Sequence, residues 1–246
     1  MLKALYDYGV RRQLALPPGF AGKTIKAYIS LSESDDRVSV YLGGNEPVPC
    51  PAIGSLANGN KCDVLAAKRS IVIPEEHGSK STFFLEALRD AAVEEPLLKV
   101  CVRALETPET MEKIREELDR MKIKPGDTVS FRVNGQSVLQ SEKVRDWWKS
   151  FRKQFSKECE KPSALCLITG ERAQAMTTTT PVQGLFVVGG HPRGDSLICF
   201  DKPAFRSYNQ KQAANAPVSE EAFSVVKAAL DELLKDAPVL AGMKFV

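Results

Sequence analysis

The chain has 246 residues, 43% of them hydrophobic and 26% charged, and a formal net charge of +3. That composition belongs to a globular protein with a sizeable core and excludes a disulfide-stapled miniprotein or wholesale disorder. No apolar run approaches the roughly 20 residues of a membrane span, and Asp7 interrupts the apolar start, so neither a membrane segment nor a signal peptide is expected and the expected location is cytoplasmic.

Charge is unevenly spread. Positions 143 to 157 hold Lys143, Arg145, Lys149, Arg152, Lys153 and Lys157 against Asp146 alone. Positions 75 to 127 hold 13 acidic and 9 basic residues. One part of the protein is thus suited to a polyanion and another is not.

In chain order, a helix is expected from Leu2 to about Leu16, stopped by Pro17-Pro18-Gly19. Thr24 to Leu31 alternates as a strand with Ile25, Ala27 and Ile29 on one face, and Val38 to Leu42 is a second strand before the turn at Gly43-Gly44. Pro49 to Lys61 is rich in Pro, Gly and Asn, and reads as a long loop of the kind that carries function. Helices are expected after Ser81, after Pro96 and after Thr107-Pro108. Asn134-Gly135 between Thr128–Val133 and Ser137–Leu139 is a hairpin signal.

The basic window is helical in pattern. At 100° per residue, Val144, Trp147, Trp148, Phe151 and Phe155 fall on one stripe, with the cations around the other side. Strands are expected at Leu165–Ile168, Gly184–Val188 and Leu197–Phe200. Ser219 caps a final helix, and an apolar tail follows Pro238. That tail suggests a fragment of a longer chain.

Little here supports bond-breaking chemistry. The six cysteines have no close paired spacing and read as buried, reduced thiols. Gly22-Lys23-Thr24 lacks the upstream glycine of a phosphate-binding loop, because position 17 is proline. His77 and His191 are the two histidines, and Asp195 could orient His191 as a general base, but no nucleophile motif accompanies them. No catalytic residue, metal site or cofactor is therefore expected.

Several ordered motifs carry a resemblance. They are Cys166-Leu-Ile-Thr169-Gly170-Glu171, Gly189-Gly190, Ser196 to Asp201, Ala204-Phe-Arg206-Ser-Tyr-Asn209, Asn215-Ala-Pro-Val-Ser219, and at the start Met1 to Tyr8 and Leu16 to Phe20. Together they resemble the N-terminal region of the large subunit of the type I-C CRISPR Cascade complex. The departures are His191-Pro-Arg-Gly194 and Asn209, and positions 75 to 160 match least.

The resemblance implies a non-catalytic subunit that binds double-stranded target DNA and reads a short motif beside the target, while guide pairing reads the rest. It also implies partners: guide RNA within the complex, Cascade backbone subunits (especially the one capping the guide 5′ end) and a helicase-nuclease recruited later. A phage-encoded inhibitor is a further candidate partner.

Base readout needs a slim loop bearing amides and hydroxyls. Ser55, Asn58, Gly59, Asn60 and Lys61 meet that need, although the same residues also suit a plain surface turn. Lys68, Arg69, Lys149, Arg152, Lys153, Arg206 and Lys211 are the candidate backbone contacts. Two rival readings are a guide-RNA-processing or nuclease component of the same system, with His191 as base, and a purely architectural subunit. The fold expected is α+β, a largely antiparallel sheet flanked by helices. The whole of 1–246 is taken as an N-terminal domain, with 75–122 as a helical insertion.

Overall fold

A computed structural model describes residues 1–14, 16–34, 37–54, 59–76, 78–155, 163–176, 178–192, 194–206, 209–210 and 212–245. The fold is α+β, and the chain divides into two compact units: Gly19–Ser156, and Met1–Pro18 with Lys157–Val246.

The Gly19–Ser156 unit is built on a mixed sheet. Strands β1 (Phe20–Lys23), β2 (Ala27–Leu31), β3 (Ser39–Leu42), β4 (Val48–Pro51) and β5 (Ala66–Lys68) come first. Helices α2 (Arg69–Val72), α3 (Ser79–Glu94), α4 (Leu98–Glu106) and α5 (Pro108–Arg120) follow, then strands β6 (Thr128–Val133) and β7 (Gln136–Ser137). The sheet order is β3-β2-β6-β5, with β7 also on β6; β1 and β4 form a separate antiparallel pair. The β2–β6 pair is parallel and the others are antiparallel.

Alternation places Ala27, Ile29, Val129, Phe131 and Val133 on the covered face, each at most 1% exposed. Phe84, Leu88, Leu98, Ile114 and Leu118 of α3 to α5 join the same core cluster. The segment expected as an insertion therefore shares the sheet's own core. Asn134 and Gly135 turn β6 into β7 with φ of 51° and 82°, the left-handed pair this hairpin requires.

Helix α6 (Glu142–Lys153) closes this unit, capped by Ser141, whose hydroxyl accepts the Val144 amide. Val144, Trp147 and Trp148 are buried, and Phe151 and Phe155 pack beside them, so the aromatic stripe faces the core as its spacing predicts.

In the other unit, α1 (Leu2–Arg11) packs on α7 (Glu220–Lys235). Gly9 permits the approach: a Cβ there would lie 2.6 Å from Val225 Cγ1. Phe223, Val226 and Val218 form a small core with Cys166 and Ile168. Short pairs β8 (Ala164–Leu165) with β9 (Arg172–Ala173), and β10 (Val239–Leu240) with β11 (Met243–Lys244), complete it.

Three expectations change. Helix α1 ends at Arg11 because Gln13 takes a left-handed φ of 55°. Gly184–Val188 is no strand; Phe186–Val188 is a short 3-10 turn with Phe186 and Val187 exposed. Leu197–Phe200 has no strand pairing either, and Leu165–Ile168 pairs only at Leu165, with the rest turning back. Apolar runs without a paired neighbour do not hold extended structure by propensity alone.

Candidate nucleic-acid interface

The long loop is tied at its base. The Asp63 carboxylate accepts the Ile53 amide through Oδ1 at 2.8 Å and holds Lys23 Nζ through Oδ2 at 2.7 Å. Lys23 Nζ also donates to the Ala66 carbonyl at 2.8 Å. One carboxylate thus joins both ends of the loop to β1, and Lys23 joins it to β5. Gly54 and Gly59 flank the tip, each with φ of 58°. Ser55 and Asn58 lie outside the described residues. Gly59 and Asn60 are exposed.

Helix α6 delivers its C-terminal end to this loop. The Gly19 carbonyl accepts the Trp148 indole N–H at 2.6 Å and the Ala52 amide at 2.8 Å. Arg152 lies across Gly19, where a Cβ would sit 2.8 Å from Arg152 Cδ; at Gly54 a Cβ would sit 4.0 Å from Arg152 Nη2. Its guanidinium therefore reaches towards the loop's first hinge. The Lys61 ammonium sits 4.9 Å from the centroid of the Phe155 ring, which packs tilted against Phe83 and edge-on against Phe151. Sequence alone treats the loop and the basic helix as separate candidates, and the fold brings them together at Lys61 and Arg152.

Where the loop meets β1, β5, α2 and α3 opens a cleft of about 420 Å³ whose charged lining is Lys23, Lys61, Lys68, Lys80 and Asp63. Because Asp63 is committed to Lys23, the remaining lysines leave the cleft cationic. Asp63 and Lys80 are not singled out from sequence, and Lys23 enters there only in a phosphate-loop pattern that fails. The partners Lys23 and Asp63 are forty positions apart, and no local pattern joins them.

The other candidates are placed differently. Arg69 turns inward, pairing with Asp119 at 2.6 Å and donating to the Ile123 carbonyl, so its guanidinium braces α2 against α5. Lys149 pairs with Asp146 along its own helix, and Lys153 is exposed. Arg206 ends a 3-10 turn, Pro203–Arg206, and belongs with Lys211 to the other unit; the Arg206 side chain and all of Lys211 lie outside the described residues. His77 does also, whereas Asp195 accepts the backbone amide of His191 at 3.1 and 3.2 Å, closing a turn.

The cysteine environments separate sharply. Burial pushes Cys50 up to about 11, and Cys62 and Cys101 up to about 12. Cys166 is also buried, which would raise it, but amides of Ser219, Thr169 and Ile168 and the Thr169 hydroxyl face the sulfur and bring it down to about 7. Cys199, unlike the expectation of burial, is exposed.

The cleft is lysine-lined and lies beside a polar loop whose ends carry Gly54 and Gly59 in left-handed backbone. The family model for CRISPR-associated protein (Cas_Csd1) matches residues 2–242, and the chain belongs to that family. No curated protein matches it. Among the described residues no helix is long and apolar enough to cross a membrane.

Proposed function

We propose that this chain is the DNA-facing part of a non-catalytic large subunit of a type I-C Cascade complex. It binds target duplex and reads the motif beside the target. Membership of a CRISPR-associated family supports the setting. The observation that carries the role is the meeting of Lys61 and Arg152 at a loop hinged by Gly54 and Gly59.

In this reading the tip enters a groove. Asn60, with Ser55 and Asn58, offers groups that both donate and accept, while Lys61, Lys68, Lys80 and Lys153 hold phosphates on either side. Arg69 is left out, since its guanidinium is bound within the fold. The guide RNA, the subunit capping its 5′ end and the later helicase-nuclease are the partners this role requires.

The test is selection from a duplex library with a randomised window beside a constant target. Wild-type complex is expected to enrich a short motif. Replacing Asn58, Asn60 and Lys61 by Ala is expected to abolish enrichment, at about 1–3 kcal/mol per lost base contact, while non-specific binding persists. Replacing Lys68, Lys80 and Lys153 is expected to weaken all sequences alike and flatten the salt dependence. Equal enrichment by wild type and the loop variant overturns the reading.

A further inference from the structure

Away from that loop, a second cavity of about 240 Å³ lies where α4 meets α5, lined by Arg37, Arg103, Lys113, Thr107, Thr110 and Glu109 among others. Three cations face one carboxylate. The setting makes this notable, because the surrounding segment is rich in acid and its other arginines are paired. Arg89 is held by Glu106, Arg115 by Glu112, Arg120 by Glu117 and Arg69 by Asp119. Arg103 and Lys113, both exposed, form no ion pair with any described residue. Arg103 and Lys113 thus stand out in a segment where carboxylates are plentiful and the other arginines have taken one each.

Hydroxyl groups complete the lining. Thr107 stands where α5 would be capped, but its hydroxyl donates back to the Arg103 carbonyl at 2.8 Å and makes no cap. Pro108 brings no N–H to the first turn, so the Glu109 and Thr110 amides are the ones without an intrahelical acceptor, and their partial charge adds to that of the side chains. Thr110 supplies another donor at the same wall. The cavity falls below the roughly 300–1,000 Å³ of sites that enclose whole small molecules, so its size suits one phosphate group. Its cations are exposed rather than enclosed, which favours an anion carried on a chain over a sequestered free ion.

We infer that this cavity is a second nucleic-acid contact, holding a backbone phosphate of a single strand through Arg103, Lys113 and Thr110. The inference does not rest on the loop reading, which concerns motif choice in duplex DNA.

The experiment titrates the full chain with an eight-nucleotide single strand lacking any defined motif and, separately, with inorganic phosphate, across a salt series. Replacing both Arg103→Gln and Lys113→Gln is expected to weaken strand binding roughly ten-fold at 0.1 M salt and to lower the salt slope by about 0.7, the loss of one phosphate contact. Glu109→Gln is expected to act in the opposite sense and strengthen it two- to three-fold, a gain that loss of folding cannot mimic. Strand affinity unchanged in both variants overturns the inference. Inorganic phosphate binding as tightly as the strand overturns the assignment to a strand and makes this a free-anion site. Loss of motif enrichment in the loop variants has no bearing on either result.

Discussion

The sulfur of Cys166 accepts the backbone amide of Ser219 at 3.4 Å. Ser219 in turn caps α7, its hydroxyl accepting the Ala222 amide at 3.1 Å. Two motifs 53 positions apart, Cys166-x-x-Thr-Gly and Asn-Ala-Pro-Val-Ser219, are therefore halves of one device. The first is a tight turn, closed by the Gly170 amide on the Cys166 carbonyl, and the second is a helix start. Their joint role is to seal the small core of this unit.

That device gives stability a pH signature. Cys166 is brought down to about 7 from the ordinary 9.0, so its thiolate favours the folded state. The gain is fully present above about pH 9 and is lost as pH falls through about 7. Cys50, Cys62 and Cys101 are raised, so the stability they add as neutral thiols is lost as pH rises from 9 towards 11 to 12. Urea midpoints are expected to rise between pH 7 and 9 and to fall above 9. Cys166→Ala should abolish the rise and leave the fall. A wild-type midpoint flat from pH 7 to 9 contradicts the assignment.

Asp63 organises the loop base. Asp63→Asn keeps the shape but removes the charge facing Lys23, and Asp63→Ala removes the acceptor for Ile53 as well. The alanine variant is expected to cost about 1–3 kcal/mol and the asparagine variant less. Both are expected to blunt motif enrichment with Lys61 and Asn60 untouched. Chemical denaturation measures the first effect and library selection the second.

Gly19 and Gly59 share left-handed backbone but differ in surroundings. A Cβ at Gly19 would meet Arg152 at 2.8 Å and Trp148 Nε1 at 3.2 Å, whereas at Gly59 nothing lies within 4 Å. Gly59→Ala is expected to cost only the backbone strain, about 1 kcal/mol, and Gly59→Asn less, since Asn adopts this region readily. Gly19→Ala adds a clash at the joint between α6 and the loop and is expected to cost clearly more. Thermal melting of the three variants gives the ranking.

Phe155 supports Lys61 through its ring face. Phe155→Leu keeps apolar bulk and removes the ring. Duplex affinity is expected to fall about two- to five-fold, the size of an exposed cation–π contact. Lys61→Arg is expected to retain affinity. Fluorescence anisotropy on the selected duplex distinguishes the two.

Sequence patterning foretells much of this molecule. The stripe of Val144, Trp147, Trp148 and Phe151 sets the inner face of α6, and Asn134-Gly135 sets the β6–β7 hairpin. Local spacing suffices for both. It fails at Phe186–Val188, where an apolar run needs a partner strand that topology does not provide. The site divides the same way: Gly59, Asn60 and Lys61 stand out by composition. Asp63 and Lys23 do not, and Phe155 stands out only as part of an aromatic core stripe, because their roles here come from contacts between distant segments. Arg69 shows the converse, a cation prominent in sequence whose charge the fold consumes.

The single Asp63 carboxylate bridges positions 53 and 63, so the ends of the loop are held by a group that lies outside its tip. The described anchors, Asp63 with Ile53 and Lys23, all lie outside positions 55–58. Under the proposed function, changing positions 55–58 while keeping Asp63, Ile53 and Lys23 is expected to shift the enriched motif without loss of the loop base.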